Sequence, residues 1–354
     1  MSKLLLAPLN WGLGHASRCI PLVQRFLDEG HEVVLGGDGE SFTLLRKHFP
    51  KLRYVYLAPL NLRYSKGSRQ VFAILRALPK LISWALKDHA LLQAILREEH
   101  FDRIISDNRF GLFLSNRRSR SNSETVQQCN GLTGEAGQTH SVYITHQLHI
   151  MLPKGWKWLE PLAERLHARI YSRFNEVWVP DFEDPSLSLA GNLSHPKNLK
   201  SKIKNLKYIG PLSRFQITNH QSPITNHHYD IVAVLSGLEP HRSLLEREII
   251  ARYSDTTERV LIVQGLMNRP NTRITRGNIT IVPYLNDTEL ASALLGAKHI
   301  IARSGYSTIM DLYALGLLQA PITNHQSSIE LIPTPGQPEQ EYLAYDLRLH
   351  SRKF

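Results

Sequence analysis

The chain has 354 residues, 42% hydrophobic and 21% charged, enough to bury two sizeable cores and too apolar for a disordered chain. Its two cysteines, Cys19 and Cys129, stand far apart in no metal-ligand spacing, which excludes a disulfide scaffold and a zinc site and fits a reducing, cytoplasmic setting. The formal charge of +11 suits nucleic acid, an anionic membrane surface or phosphorylated substrates. Basic clusters such as Arg117-Arg118-Ser119-Arg120 lack aromatic interleaving, so a solvated basic surface and no nucleic-acid partner are expected.

Lys3–Pro8 reads as a first strand, since its apolar run is too short for a secretory leader, and His15–Glu29 as a helix closed by Gly30. Strands follow at His31–Leu35 and Arg53–Leu57, then a long amphipathic stretch from Ser68 to Glu99, bent or split at Pro79. Asp102–Ser106, Val142–Thr145 and Glu176–Val179 read as strands, with a helix over Trp156–Phe174. The rhythm restarts with strands at Tyr229–Leu235, Val260–Gln264, Ile279–Pro283, His299–Ala302 and Glu330–Pro333. Helices fall at Arg242–Tyr253, Asp287–Leu295, Ser307–Leu315 and Gln337–Leu347. The pattern predicts an α/β chain of two Rossmann-like, doubly wound domains, with ligands outside the carboxyl ends of the strands.

The domains expected are 1–210, with a polar insertion at about 115–141, and 229–354, with an insertion at about 319–328, joined by a linker over 211–228. Ile217-Thr218-Asn219-His220 recurs at Ile224-Thr225-Asn226-His227 and at Ile322-Thr323-Asn324-His325, too irregularly for a solenoid. These tracts read as insertions rather than metal sites.

Two strand-to-helix turns carry chemistry. After the first strand, Gly12 and Gly14 permit a tight turn onto a helix whose free N–H groups suit a phosphate or an acceptor hydroxyl. Ser17 stands where a dinucleotide fingerprint needs glycine, so this loop is also compatible with a plain turn. His15, in the first helical turn, is placed for general-base work. Later, Arg303-Ser304-Gly305-Tyr306-Ser307-Thr308 leaves a strand and enters a helix that Ser307 and Thr308 can cap, its dipole facing a diphosphate. Asp311, one turn down, can accept from both ribose hydroxyls. Ser236-Gly237 forms a second anion-facing turn. Asp107-Asn108-Arg109 and Thr145-His146-Gln147 end strands where an acceptor can bind, although satisfied strand-end polar groups are the plainer account.

The chain resembles glycosyltransferase family 28, the GT-B group that includes a peptidoglycan N-acetylglucosaminyltransferase acting on a lipid-linked acceptor. Gly12-Leu13-Gly14-His15 resembles its N-terminal glycine loop, and Gly210-Pro211-Leu212-Ser213-Arg214 the segment whose arginine contacts donor phosphate. Ser236-Gly237 resembles the phosphate-side loop. Tyr284-Leu285-Asn286-Asp287 resembles the segment that reads the base, which assigns Leu285 to it. Arg303-Ser304-Gly305 to Asp311 resembles the donor helix, with aspartate for the family's usual glutamate. Pro333-Thr334-Pro335-Gly336-Gln337-Pro338-Glu339-Gln340-Glu341 resembles the loop whose glutamines touch the donor sugar, with Gln340 matching best and Glu341 replacing a second glutamine. The resemblance implies two domains facing across a cleft, UDP as carrier, inversion, no metal or other cofactor, and an acceptor carried at the membrane face. Two rivals are a same-fold nucleotide-sugar epimerase or hydrolase, which needs carboxylates such as Asp38, Asp107 or Glu341 beside the sugar, and a non-catalytic relative.

Overall fold

The computed structural model describes residues 1–60, 70–109, 111–112, 139–196, 203, 205–216, 229–318 and 327–350, with side chains left out at 70–78 and 348–350. The repeated tracts, and nearly all of the 115–141 insertion, lie outside the described residues. Two compact units are present, one of residues 1–10, 22–60 and 76–211, the other of 11–21, 61–75 and 212–354.

The first unit is built on a seven-stranded, wholly parallel sheet of β1 (Lys3–Pro8), β2 (Glu32–Gly37), β3 (Arg53–Tyr56), β4 (Arg103–Asp107), β5 (His140–Ile144), β6 (Glu176–Val179) and β7 (Leu206–Tyr208), in the order β3-β2-β1-β4-β5-β6-β7. The inner strands are apolar along nearly their whole length because both faces are covered: Leu5, Leu6, Val34, Ile105 and Val142 have no exposed surface. Between these strands in the chain run the helices α1 (Gly14–Asp28), α2 (Gly39–His48), α3 (Gln70–Glu98) and α4 (Glu160–Tyr171), of which residues 14–21 and 70–75 belong to the second unit.

The second unit carries β8 (Ile231–Val234), β9 (Val260–Val263), β10 (Ile274–Arg276), β11 (Ile279–Val282), β12 (His299–Arg303) and β13 (Ser328–Ile332), ordered β10-β11-β9-β8-β12-β13. Only the β10–β11 pair is antiparallel. Its helices are α5 (His241–Tyr253), α6 (Asp287–Gly296), α7 (Tyr306–Ala314) and α8 (Pro338–His350). In both units strand order reverses beside the first strand, the topological switch point at which such sheets bind ligands.

Four expectations need correction. The 68–99 stretch is not split among its described residues: α3 runs through the exposed Pro79, which removes one backbone hydrogen bond without ending the helix. The 156–174 segment is two elements, a 3-10 turn over Lys154–Leu159 and then α4, because Pro161 at the start of α4 donates no N–H and favours a helix beginning there. Strand β13 begins at Ser328, two residues early, where Ser328 pairs with His299 of β12. Ser307 and Thr308 do not cap α7; Gly305 is the N-cap, in extended conformation and without a side-chain cap.

Candidate functional site

A cavity in the second unit opens at the carboxyl ends of β8, β9 and β12. Its apolar wall is built from Leu235, Met267, Leu285, Leu290, Leu294 and Leu312, and its polar wall from Ser236, Ser307, Thr308, Arg214 and Asp311. Two glycines shape it. Gly265 has φ +71°, and a Cβ there would lie 2.7 Å from the Leu235 carbonyl oxygen, so the turn after β9 has no room for a side chain. Gly14, also in the wall, would place a Cβ 2.5 Å from Ser307 Oγ. The free N–H groups of the first turn of α7, around Ser307 and Thr308, lie beside this space and favour a negative group.

Arg214 lies between two carboxylates. Its Nη1 is 3.4 Å from Asp287 Oδ1 and its Nε 3.5 Å from Asp311 Oδ2, an ion pair in which Nε has no well-aligned hydrogen bond. Its guanidinium carbon lies 5.2 Å from the Phe215 ring centre. Ser213 donates its hydroxyl to Asp311 Oδ1 at 2.6 Å and accepts from the Phe215 N–H at 3.1 Å. Burial pushes the Asp311 carboxyl up to about 6, and the nearby Arg214 and the Ser213 bond offset that only partly. Arg214 is thus held between two carboxylates.

The loop after β12 is a structural clamp. Arg303 is buried and donates to the carbonyls of Pro333 at 3.0 Å and His241 at 2.8 Å, tying β12 to the loop after β13 and to the first residue of α5. Ser304 donates to the Gln340 carbonyl at 2.8 Å, and the Gln340 side-chain oxygen accepts from the Thr334 N–H at 2.8 Å. Gln337 closes the same turn, donating to Thr334 and accepting from Glu341.

At the start of α1, Arg18 is buried and its Nη2 lies 3.0 Å from Nδ1 of His15. An arginine only donates, so in this pairing Nδ1 is the acceptor and Nε2 bears the hydrogen.

In the first unit, Asn108 takes a left-handed conformation (φ 54°) and accepts from the Tyr143 hydroxyl at 2.7 Å. Asp107 is fully buried. Arg109, which the sequence marks only as the last of three polar residues ending a strand, has no exposed surface. It forks onto Asp88 with two bonds of 2.8 Å, reaches Asp38 Oδ1 at 2.9 Å and donates to the Ala58 carbonyl at 2.8 Å. Pro8 ends β1, Asp38 follows β2, Ala58 follows β3 and Arg109 follows β4, and the Pro8 carbonyl lies 3.4 Å from Nη1. One side chain therefore ties together the carboxyl ends of four strands, the edge where such a sheet presents ligand-binding loops. Only its charge and strand-end place hint at this, because its partners lie 21 to 101 residues away.

Of the expected site residues, Gly14, Arg214, Ser236, Leu285, Ser307, Thr308 and Asp311 line the cavity, joined by Ser17, Gly265, Met267 and Tyr284. Gly12, His15, Gly237, Arg303, Ser304, Gly305, Gln337, Gln340, Asp107 and Asn108 do not line it. Gly265 was signalled only as a glycine closing a strand. Among the described residues no cluster of three or more His, Cys, Asp or Glu could hold a metal, and no helix is long and apolar enough to cross a membrane.

The chain is similar to an uncharacterized glycosyltransferase of Methanosarcina acetivorans, 23% identical over 341 residues that cover 96% of this chain and 81% of that one. One from Methanosarcina mazei is 21% identical, with the same coverage. Both relatives are described only as uncharacterized glycosyltransferases, and the likeness runs along nearly the whole of this chain. No protein-family model matches it. Its fold, two Rossmann-like parallel-sheet units, is that of GT-B enzymes. The calicheamicin glycosyltransferase CalG4 superposes with a TM-score of 0.54 at 12% identity, covering 100% of this chain and 92% of that one. The spinosyn rhamnosyltransferase SpnG complexed with thymidine diphosphate gives 0.54 at 11%, covering 97% and 84%. Arabidopsis thaliana UGT89C1 complexed with UDP gives 0.54 at 12%, covering 100% and 91%.

Proposed function

We propose that this protein transfers a sugar from a nucleoside-diphosphate sugar, with UDP as carrier, to an acceptor hydroxyl. The observation that carries this reading is the cavity at the strand ends of the second unit, where the N-terminus of α7, Arg214 and Asp311 meet an apolar wall. The wall that includes Leu285 suits a planar base and the α7 N–H groups suit phosphate. Asp311 suits the ribose hydroxyls.

The step is a direct displacement with inversion and without a metal. The acceptor oxygen attacks the anomeric carbon as its proton is removed, and the bond from that carbon to the diphosphate oxygen breaks, its electron pair leaving with the nucleotide. Arg214 and the α7 N–H groups offset the charge that develops on the diphosphate. His15 is the group we assign to take the proton; to do so through Nε2 it must release Arg18 from Nδ1 and carry the hydrogen there. A lipid-linked acceptor rests on the family 28 resemblance alone. An epimerase or hydrolase needs spare carboxylates, and Asp38 is already engaged by Arg109 and by Asn10.

A thermal-shift panel of nucleotides tests the reading. A ligand that binds only the folded state adds about 2.7 kcal/mol at 100 Kd, so UDP at saturating concentration is expected to raise the melting temperature by several degrees. Asp311→Ala is expected to weaken UDP by about 1.5–3 kcal/mol and a 2′,3′-dideoxy analogue by less. If no nucleoside diphosphate shifts the melting temperature, the donor assignment fails.

A further inference from the structure

The start of α1 belongs to the second unit and forms part of its cavity wall through Leu13, Gly14 and Ser17. Ser17 donates its backbone N–H to the Leu13 carbonyl at 2.8 Å, as a helical residue does. Its side chain is the anomaly. A serine inside a helix ordinarily turns its hydroxyl to solvent or back onto the carbonyl one turn earlier. Ser17 is only 5% exposed, and its Oγ has no hydrogen-bond partner among the described residues. A buried hydroxyl without a partner costs stability, so one kept in a cavity wall marks a place for an oxygen from outside the chain.

The surroundings give that oxygen its charge. Gly14 packs so closely on the start of α7 that a Cβ there would lie 2.5 Å from Ser307 Oγ. Two helix N-termini therefore converge on the cavity. First-turn N–H groups have no partner within their own helix and favour negative charge. Among the described residues of the wall Arg214 is the only cation. Asp311, suited to the ribose, lies one turn into α7, whereas Gly14 meets α7 at its first turn. A nucleotide seated on Asp311 thus presents its nearer phosphate to α7 and any further phosphate to α1.

We propose that Ser17 and the start of α1 bind the second phosphate of a nucleoside diphosphate, so that the cavity selects diphosphates over monophosphates. The proposal rests on the donor reading above, and Ser17 Oγ is the hydrogen-bond donor that distinguishes the two ligands.

Calorimetric titration of the full chain with UDP, UMP and uridine tests it, with the thymidine series alongside. Ser17→Ala is expected to weaken UDP about tenfold or more, the loss of a hydrogen bond to a charged group, and to leave UMP and uridine within about twofold. Ser17→Cys, similar in size and a weak donor, should fall between alanine and wild type for UDP. Without ligand, Ser17→Ala should melt no lower than wild type, because alanine removes a hydroxyl that has no partner. A lower melting temperature would give the hydroxyl a structural role and overturn the proposal. So would an unchanged ratio of UDP to UMP affinity, the result for a serine that only lets α1 pack closely. If wild type binds none of these nucleotides, the donor reading falls and this proposal with it. If wild type binds both UDP and UMP and alanine leaves their ratio unchanged, only the role of Ser17 falls.

Discussion

The hydroxyl of Ser213 donates to Oδ1 of Asp311 at 2.6 Å, joining residues 98 positions apart. Beside them Leu212 donates its N–H to the Met310 sulfur at 3.2 Å, so the segment entering the second unit is fixed to α7 at two successive residues. The carboxylate at the centre of the cavity wall is therefore held in one orientation before any ligand arrives, as a preorganised binding site requires.

That carboxylate has a measurable linkage to stability. Asp311 ionises near 3.8 in an unfolded chain and at about 6 in the folded protein. Between those values the folded state holds a proton that the unfolded state has released. Its contribution is thus fully present below about pH 4 and lost as pH rises through about 6. Asp311→Asn removes the linkage. The variant should match wild type in chemical denaturation near pH 4 and exceed it by on the order of 1–3 kcal/mol at pH 7.5. A variant less stable than wild type at pH 7.5 would mean that the Arg214 ion pair outweighs the cost of burial.

Arg109 gives a prediction of opposite sign. Removing it leaves Asp38 and Asp88 buried and unpaired, so Arg109→Met should cost about 3–5 kcal/mol in urea unfolding. Arg109→Lys should recover little, because a point charge cannot reproduce the fork onto Asp88 and the two carbonyls. If the lysine variant is as stable as wild type, the bidentate geometry is dispensable.

What the sequence disclosed divides along physical lines. The α/β rhythm was readable because strands buried on both faces are continuous apolar runs, as in Leu4–Ala7 and Val260–Val263. The polar side of the cavity was readable because strand-end glycines and helix starts are local signals, and Ser236, Ser307 and Asp311 do meet there. Strand β10 was missed because its three residues, Ile274, Thr275 and Arg276, are all exposed and have no buried face to betray them. Helix α2 opens with Gly39 and carries polar residues in each turn, so its four buried positions were not distinct. The Arg109 network and the Ser213–Asp311 bond were illegible because both depend on residues brought together only by folding.

One test of His15, its protonation pattern, needs no acceptor, and a second needs turnover. Nitrogen-15 spectra of histidine-labelled free protein should show His15 with hydrogen on Nε2 and a bare Nδ1, as the bond from Arg18 requires. In turnover, His15→Ala should lower kcat by roughly 10²–10⁴-fold with little change in donor affinity. His15→Gln keeps an N–H donor near Nε2 but cannot take a proton. It should therefore be as impaired as alanine if His15 is the base, and substantially active if His15 only donates.

The last prediction concerns the connection between α7 and β13. Helix α7 ends at Ala314 and β13 starts at Ser328, far longer than the 2–6 residues usual between helix and strand in α/β units. Its end nearest the strand belongs to the sheet: Ser328 donates its N–H to the Lys298 carbonyl at 2.9 Å, and Ser327 donates its hydroxyl to the Ala297 carbonyl at 2.6 Å. Ser328 also lies 2.6 Å from His299 Nδ1 through its hydroxyl. These contacts start the β12–β13 register that brings Thr334 and Gln340 to the loop after β12. A deletion of residues 319–326, closed with a glycine-serine link, should therefore leave stability within about 0.6 kcal/mol, because loop-closure entropy varies slowly with length. Extending the deletion through Ser328 removes four hydrogen bonds, those above and one from the Ser328 hydroxyl to the Lys298 carbonyl. At about 1 kcal/mol each, this should lower stability by on the order of 2–4 kcal/mol. Denaturant unfolding of the two deletions side by side separates these outcomes. Equal stability would show that β13 holds its register without its first residue, and collapse of the shorter deletion would make 319–326 an integral part of the unit.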